Sequence, residues 1–148
     1  MKSKICLLFL CTGNSCRSQI AEGWARSLKS EFIEVYSAGI ETHGLNPSAV
    51  KVMNEAGVDI SLQHSKPVND LSGLSFDYVV TLCDHASQHC PLFSGDAENV
   101  HKGFGDPPAL AAQVALRGGD EEDQLDCYRR VRDQIRDWVE TLPDFLET

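Results

Sequence analysis

Ile5-Cys6-Leu7-Leu8-Phe9-Leu10, followed at once by Cys11-Thr12-Gly13-Asn14-Ser15-Cys16-Arg17-Ser18, is the stretch on which the reading of this chain turns. The apolar run shows no alternation, as in a strand buried on both faces. The polar, glycine-bearing stretch from Cys11 to Ser15 reads as a tight loop. From about Cys16 to Lys29, Ile20, Ala21, Trp24, Ala25 and Leu28 recur at helical spacing. Strand, loop and helix start, in that order, make an anion cradle: backbone N–H groups point into the loop and the helix N-terminus adds partial positive charge. Gly13 and Asn14 suit the positive φ angles of a tight turn. Arg17 offers a planar fork that grips two oxygens of a tetrahedral oxyanion. The same field favours a thiolate on Cys11, with Ser15 or Ser18 as hydrogen-bond donor to it. Cys11 is therefore a candidate nucleophile at the floor of an oxyanion site formed by Thr12, Gly13, Asn14, Ser15, Cys16, Arg17 and Ser18. An isolated Cys and Arg would read as a buried thiol and a surface charge. The agreement of three elements favours catalysis.

Outward from this stretch, Ile33 to Ser37 reads as a second strand, closed by Ala38-Gly39. Asn46-Pro47 opens a helix with Pro at its first position, carrying Ala49, Val50, Met53 and Ala56 and stopping at Gly57. Phe76 to Leu82 is a third strand, and residues 84 to 89 form a short helix or a loop. A fourth strand is expected near Val100 and a loop from Gly103 to Pro108. Leu110 to Asp123, with Gly118-Gly119 and an acidic cluster, reads as an exposed, mobile connection. A last helix from about Asp120 to Leu142 places Leu125, Tyr128, Val131, Ile135, Trp138 and Val139 on one face. Strands alternating with helices predict an α/β fold, a single three-layer domain over residues 1–148 with a four-stranded parallel sheet flanked by helices. Ligands of such sheets lie beyond the carboxyl ends of the strands. Cys11 and Cys83 both follow strands at that end.

The 148 residues suit one domain, and 42% of them are hydrophobic. Lys and Arg number 13 against 22 Asp and Glu, a formal net charge of -9, which argues against general nucleic-acid binding. No stretch is long enough to span a membrane, and the apolar run at Ile5 is too short for a signal-peptide core. A cytoplasmic monomer is the expectation. Six cysteines in that compartment point to transient, catalytic thiol chemistry rather than a structural framework.

Cys83 and Cys90 sharpen this. Were the segment between them helical, the pair would lie ~10 Å apart along the axis, beyond the ~7 Å Cα separation a disulfide tolerates. A disulfide there requires residues 83 to 90 to unwind. Two other readings remain open: inert buried thiols, or a zinc site from Cys83, His85, His89 and Cys90, whose spacing matches no standard pattern. Cys6 reads as core, Cys16 as a loop residue with its side chain turned away, and Cys127 as incidental.

The motif Cys11-x5-Arg17-Ser18 after the first strand resembles that of the low-molecular-weight tyrosine phosphatase fold. The longer string from Cys11 to Trp24 is similar to the thioredoxin-coupled arsenate reductases built on it. Tyr36 to Gly44, Asn46-Pro47, Val80 to Cys83, Cys90-Pro91 and Gly103 to Pro107 extend the likeness, while Pro108 to Gln124 looks like an insertion. The resemblance implies arsenate as substrate, Cys11, Arg17, Cys83, Cys90 and Asp106 as catalytic residues, and no bound cofactor. It implies Cys11 attack on arsenic with Asp106 protonating the departing oxygen. A Cys11–Cys83 disulfide then forms, followed by a Cys83–Cys90 disulfide that thioredoxin reduces. A low-molecular-weight tyrosine phosphatase would use the same Cys11, Arg17 and Asp106. Such enzymes carry aromatic residues after the Asp-Pro pair, where this chain has Pro108 and Ala109.

Some of these reductases bind potassium behind the anion loop. The matching positions here are Asn14, Glu22 and Ser37, with Lys66 where a further acidic residue is expected. A lysine ammonium in the place of the cation implies that potassium is not needed. The alternative is a solvated surface lysine.

Overall fold

The computed structural model describes residues 4–83 and 97–147. The expectations for residues 84 to 90, including His85, His89 and Cys90, lie outside the described residues. Four strands, β1 (Ile5–Cys11), β2 (Ile33–Gly39), β3 (Tyr78–Thr81) and β4 (Glu98–His101), form one parallel sheet in the order β2-β1-β3-β4. Among the described residues, helix α1 (Arg17–Leu28) follows β1 and α2 (Pro47–Glu55) follows β2, as the sequence predicts, while α3 (Pro107–Leu116) and α4 (Glu121–Val139) follow β4 in succession. Among the described residues no helix is long and apolar enough to cross a membrane.

The unbroken apolar run of β1 takes an interior place in the sheet. It pairs with β2 from Ile5↔Ile33 to Cys11↔Gly39 and with β3 from Leu7↔Tyr78 to Leu10↔Thr81. Leu7, Leu8, Phe9 and Leu10 are all fully buried, so both faces of the sheet are covered there. Phe9 meets the edge of Trp138 from α4 at 5.9 Å between ring centroids. The chain leaves β1 for β2 on one side and later returns to β3 on the other. That reversal opens a crevice beyond the carboxyl ends of β1 and β3.

Helix boundaries follow from side-chain chemistry. Asn46 Oδ1 accepts from the backbone N–H of Ser48 and Ala49, with Pro47 at the first helical position, where a missing N–H costs nothing. The inward stripe of α2 is Ala49, Val52 and Met53, whereas Val50 and Ala56 are only half-buried. Leu28, at the end of α1, is 41% exposed rather than core. The predicted face of α4 is buried throughout.

One expectation is corrected. Leu110 to Asp123 is not an open connection, because α3 already begins at Pro107 and runs to Leu116. The Pro107-Pro108 pair, a loop signal in sequence, sits at the first two helical positions, and the Ala- and Leu-rich residues after it are strong helix formers. Gly118, at φ 86°, turns the chain, and the acidic cluster is the capping box of α4. Asp120 Oδ1 accepts from Asp123 N at 2.9 Å and Asp123 Oδ2 from Asp120 N at 3.0 Å.

Candidate active site

Cys11 is the last residue of β1, and Cys83 lies two residues beyond β3, so the sheet itself brings both sulfurs to the crevice. The segment after β2 then docks along the outside of the anion loop. Ile40 N donates to Cys11 O, Glu41 N to Thr12 O, His43 N to Gly13 O and Asn46 N to Ser15 O, at 2.9–3.2 Å. These bonds hold the loop carbonyls outward. In a planar trans peptide the next N–H points the opposite way, which turns those of Thr12, Gly13 and Cys16 inward. The N-cap residue Cys16 makes no side-chain cap bond to the first turn of α1, which suits leading N–H groups that face a ligand.

A half-open pocket of ≈ 280 Å³ is lined by Cys11, Thr12, Ser15 and Arg17 of the loop and by His43 and Asp106 opposite. Its size suits a small tetrahedral anion. Arg17 is fixed at its rim: Nη1 donates to Phe104 O at 3.0 Å and Nη2 lies 3.7 Å from Asp106 Oδ1. The β4 exit places those partners, since Lys102 N and Phe104 N donate to Thr81 O and Leu82 O. Asp106 occupies the position before the first turn of α3, yet its side chain caps nothing. It faces Arg17 instead.

Cys11 Sγ is 3.0 Å from Ser18 Oγ, one of the two serines expected beside it. Asn14 Nδ2 donates to the same hydroxyl at 2.8 Å and to Ser37 Oγ at 3.0 Å, while its Oδ1 accepts from Lys66 N at 2.9 Å. The side chains of Asn14 and Ser18, both fully buried, therefore support the loop from behind rather than line the pocket. Asn14 does take the expected positive φ, at 47°, but Gly13 does not. Gly13 leaves room for a neighbour instead: a Cβ there would collide with the His43 ring and displace it. Burial, then the neighbouring Cys11 and Asp106, pushes the Cys16 thiol far up. Burial, then Glu34 and Asp77, pushes Cys6 up to about 11.

Behind the loop, Ser37 Oγ donates to Glu22 Oε1 at 2.6 Å. Arg26 Nη1 lies 3.0 Å from Glu22 Oε2, and Lys66 Nζ 3.9 Å from Glu22 Oε1. The Lys66 side chain is only 13% exposed, so it is not a solvated surface lysine. Burial lowers its pKa, partly offset by Glu22.

Cys83 Sγ lies 3.2 Å from Thr12 Oγ1. Arg17 and Cys83 also line a neighbouring groove of ≈ 740 Å³ with Lys102, Phe104 and Trp138. Arg17 is thus the shared wall between the oxyanion pocket and the groove of the second cysteine. The zinc reading of Cys83 depends on three residues outside the described part, and among the described residues no group of His, Cys, Asp and Glu is arranged for a metal ion. Sequence reasoning missed His43 and Phe104. Both lie in stretches that carry the likeness, but no role was assigned to either, because His43 reaches the pocket and Phe104 O reaches Arg17 through the backbone pairing of their segments.

A parallel sheet whose first strand ends in Cys-x5-Arg, with an aspartate facing that arginine, defines the low-molecular-weight phosphotyrosine protein phosphatase class, and the sequence model of that family matches residues 6–147. The chain belongs to this family. It is 46% identical over 144 residues to an arsenate reductase of Halalkalibacterium halodurans, covering 97% of this chain and 98% of that one. It is 47% identical over 148 residues to an arsenate reductase of Bacillus subtilis (strain 168), covering 100% and 99%. An arsenate reductase solved in its oxidized state superposes with a TM-score of 0.73 at 31% identity, covering 93% of this chain and 95% of that chain.

Proposed function

We propose that this enzyme reduces arsenate to arsenite through the thiols of Cys11, Cys83 and Cys90, with thioredoxin as electron donor. The observation that carries the reading is the contact of Thr12 Oγ1 with Cys83 Sγ, which sets a second thiol beside the nucleophile loop. A phosphatase has no use for that thiol. Arsenic, unlike phosphorus in phosphate, accepts two electrons from thiols.

The chemistry follows the geometry. The loop amides and Arg17 hold the oxyanion against Cys11. The Cys11 thiolate attacks arsenic, and the departing oxygen takes a proton from Asp106 and leaves as water. Cys83 then attacks Cys11 Sγ. The S–As bond breaks, its electron pair stays on arsenic, and arsenite departs as the Cys11–Cys83 disulfide forms. Cys90 attacks Cys83, returning Cys11 as a thiolate and leaving a Cys83–Cys90 disulfide, which thioredoxin reduces by exchange. Lys66, buried beside Glu22, serves as a built-in cation behind the loop.

The test is arsenate reduction with thioredoxin, thioredoxin reductase and NADPH, with glutaredoxin and glutathione as the alternative donor. Cys11→Ser should be inactive, Cys83→Ser should release no arsenite, and Cys90→Ser should release about one equivalent and stop. Full turnover by Cys83→Ser overturns the relay, and turnover with glutaredoxin alone overturns the choice of donor.

A further inference from the structure

We infer that His43, tethered by Glu41 and seated on Gly13, supplies a second positive charge to the oxyanion pocket when it is protonated. Three observations place it there. Its backbone N–H donates to Gly13 O at 3.0 Å, fixing its segment to the loop. Its ring lies against Gly13, where a Cβ would collide with Nδ1, and it lines the same pocket as Cys11, Arg17 and Asp106. Its Nε2 is 3.0 Å from Glu41 Oε1.

The carboxylate sets what the ring can offer. Glu41 accepts from Nε2–H, so in the neutral imidazole Nδ1 carries a lone pair on the anion-loop side. Protonation turns that acceptor into a donor and adds a charge beside the bound oxyanion. Arg17 does not make this contact redundant, since Phe104 O holds one of its terminal nitrogens and Asp106 faces the other. Among the described residues, the charged and titratable groups that face His43 are Glu41 on its own segment, Cys11, Cys16 and Arg17 across the pocket, and Asp106 before α3. Oxyanion affinity therefore has a part that is present at low pH and lost as the imidazolium gives up its proton. The inference rests on the reading of this pocket as an oxyanion site.

Sulfate is the probe, because it stays a tetrahedral dianion from pH 5.5 to 8.5 and is not turned over. Its affinity is measured by calorimetry at constant ionic strength on wild type, His43→Gln, His43→Lys, Glu41→Gln and Arg17→Ala. Every other group of the pocket is common to wild type and the histidine variants, so differences among them isolate His43. Half exposure of the ring limits the gain to about three- to fivefold. Wild type should lose that factor as pH rises. His43→Gln should show the weak affinity at every pH and His43→Lys the strong one. Glu41→Gln, which removes the tether, should lower the affinity at low pH. A His43→Gln profile that overlays wild type overturns the inference. Unchanged binding by Arg17→Ala instead overturns the oxyanion reading of the pocket itself.

Discussion

Thr12 Oγ1 lies 3.2 Å from Cys83 Sγ, so the residue next to one cysteine orients the other across the gap between two adjacent strands. The contact is possible because β1 and β3 are neighbours in register, Leu10 opposite Thr81, and both chains turn out of the sheet at the same height.

Replacing this hydroxyl by a methyl keeps the shape and removes the hydrogen bond. Thr12→Val should leave formation of the Cys11–arsenic adduct intact but slow arsenite release, by about tenfold for a hydrogen bond worth about 1 kcal/mol or slightly more. Rapid-quench measurement of arsenite release checks this. Release at the wild-type rate means that Thr12 does not orient Cys83.

Asn14 is fully buried and makes three side-chain hydrogen bonds. Asn14→Ala removes the acceptor of Lys66 N–H and a donor to each of Ser18 and Ser37, and places alanine at a positive φ. A loss of about 2–4 kcal/mol is expected in urea unfolding. A loss below about 1 kcal/mol would show that water replaces the amide.

Cys16 gives a pH signature. Its folded pKa is raised well above the ordinary 9.0, so near pH 9 and above the unfolded chain loses the proton first. The folded state then binds more protons than the unfolded state, and stability falls as pH rises from about that point. Cys6, raised to about 11, acts in the same direction. Cys16→Ala should flatten the decline between pH 9 and 10.5 while activity at neutral pH is kept. An unchanged slope, read from urea midpoints, counts against a buried neutral thiol at this position.

Lys66 predicts indifference to potassium. Melting temperature and reductase activity should be the same in potassium and sodium chloride at equal ionic strength. Lys66→Met leaves buried Glu22 with Arg26 as its remaining cation and should cost about 1–2 kcal/mol, or roughly 2–6 °C in Tm. A strong potassium dependence of the wild type is the result that removes Lys66 from the cation's place.

How much of this was legible in the chain varies with the range of the interaction. Ile5 to Leu10, the turn after Cys11 and the spacing of α4 are local patterns, and the elements formed where those patterns lie. The acidic stretch at Asp120 is local too, but its charges read as loop polarity. They are in fact a capping box, and α3 was hidden by two prolines that a helix tolerates only at its first turn. The role of Gly13 was inferred from backbone freedom, whereas its real constraint is steric and comes from a residue thirty positions away.

By itself the sequence determined the parallel α/β class, the anion loop and the residue types able to attack and grip an oxyanion, because period, propensity and loop chemistry act over a few neighbours. The tertiary structure alone decided that Cys83 meets Thr12, that Arg17 is shared between two cavities, that Asn14 turns inward to Ser18 and Ser37, and that His43 closes the pocket. Those contacts join segments far apart in the chain, and only strand order and register bring them within hydrogen-bond reach.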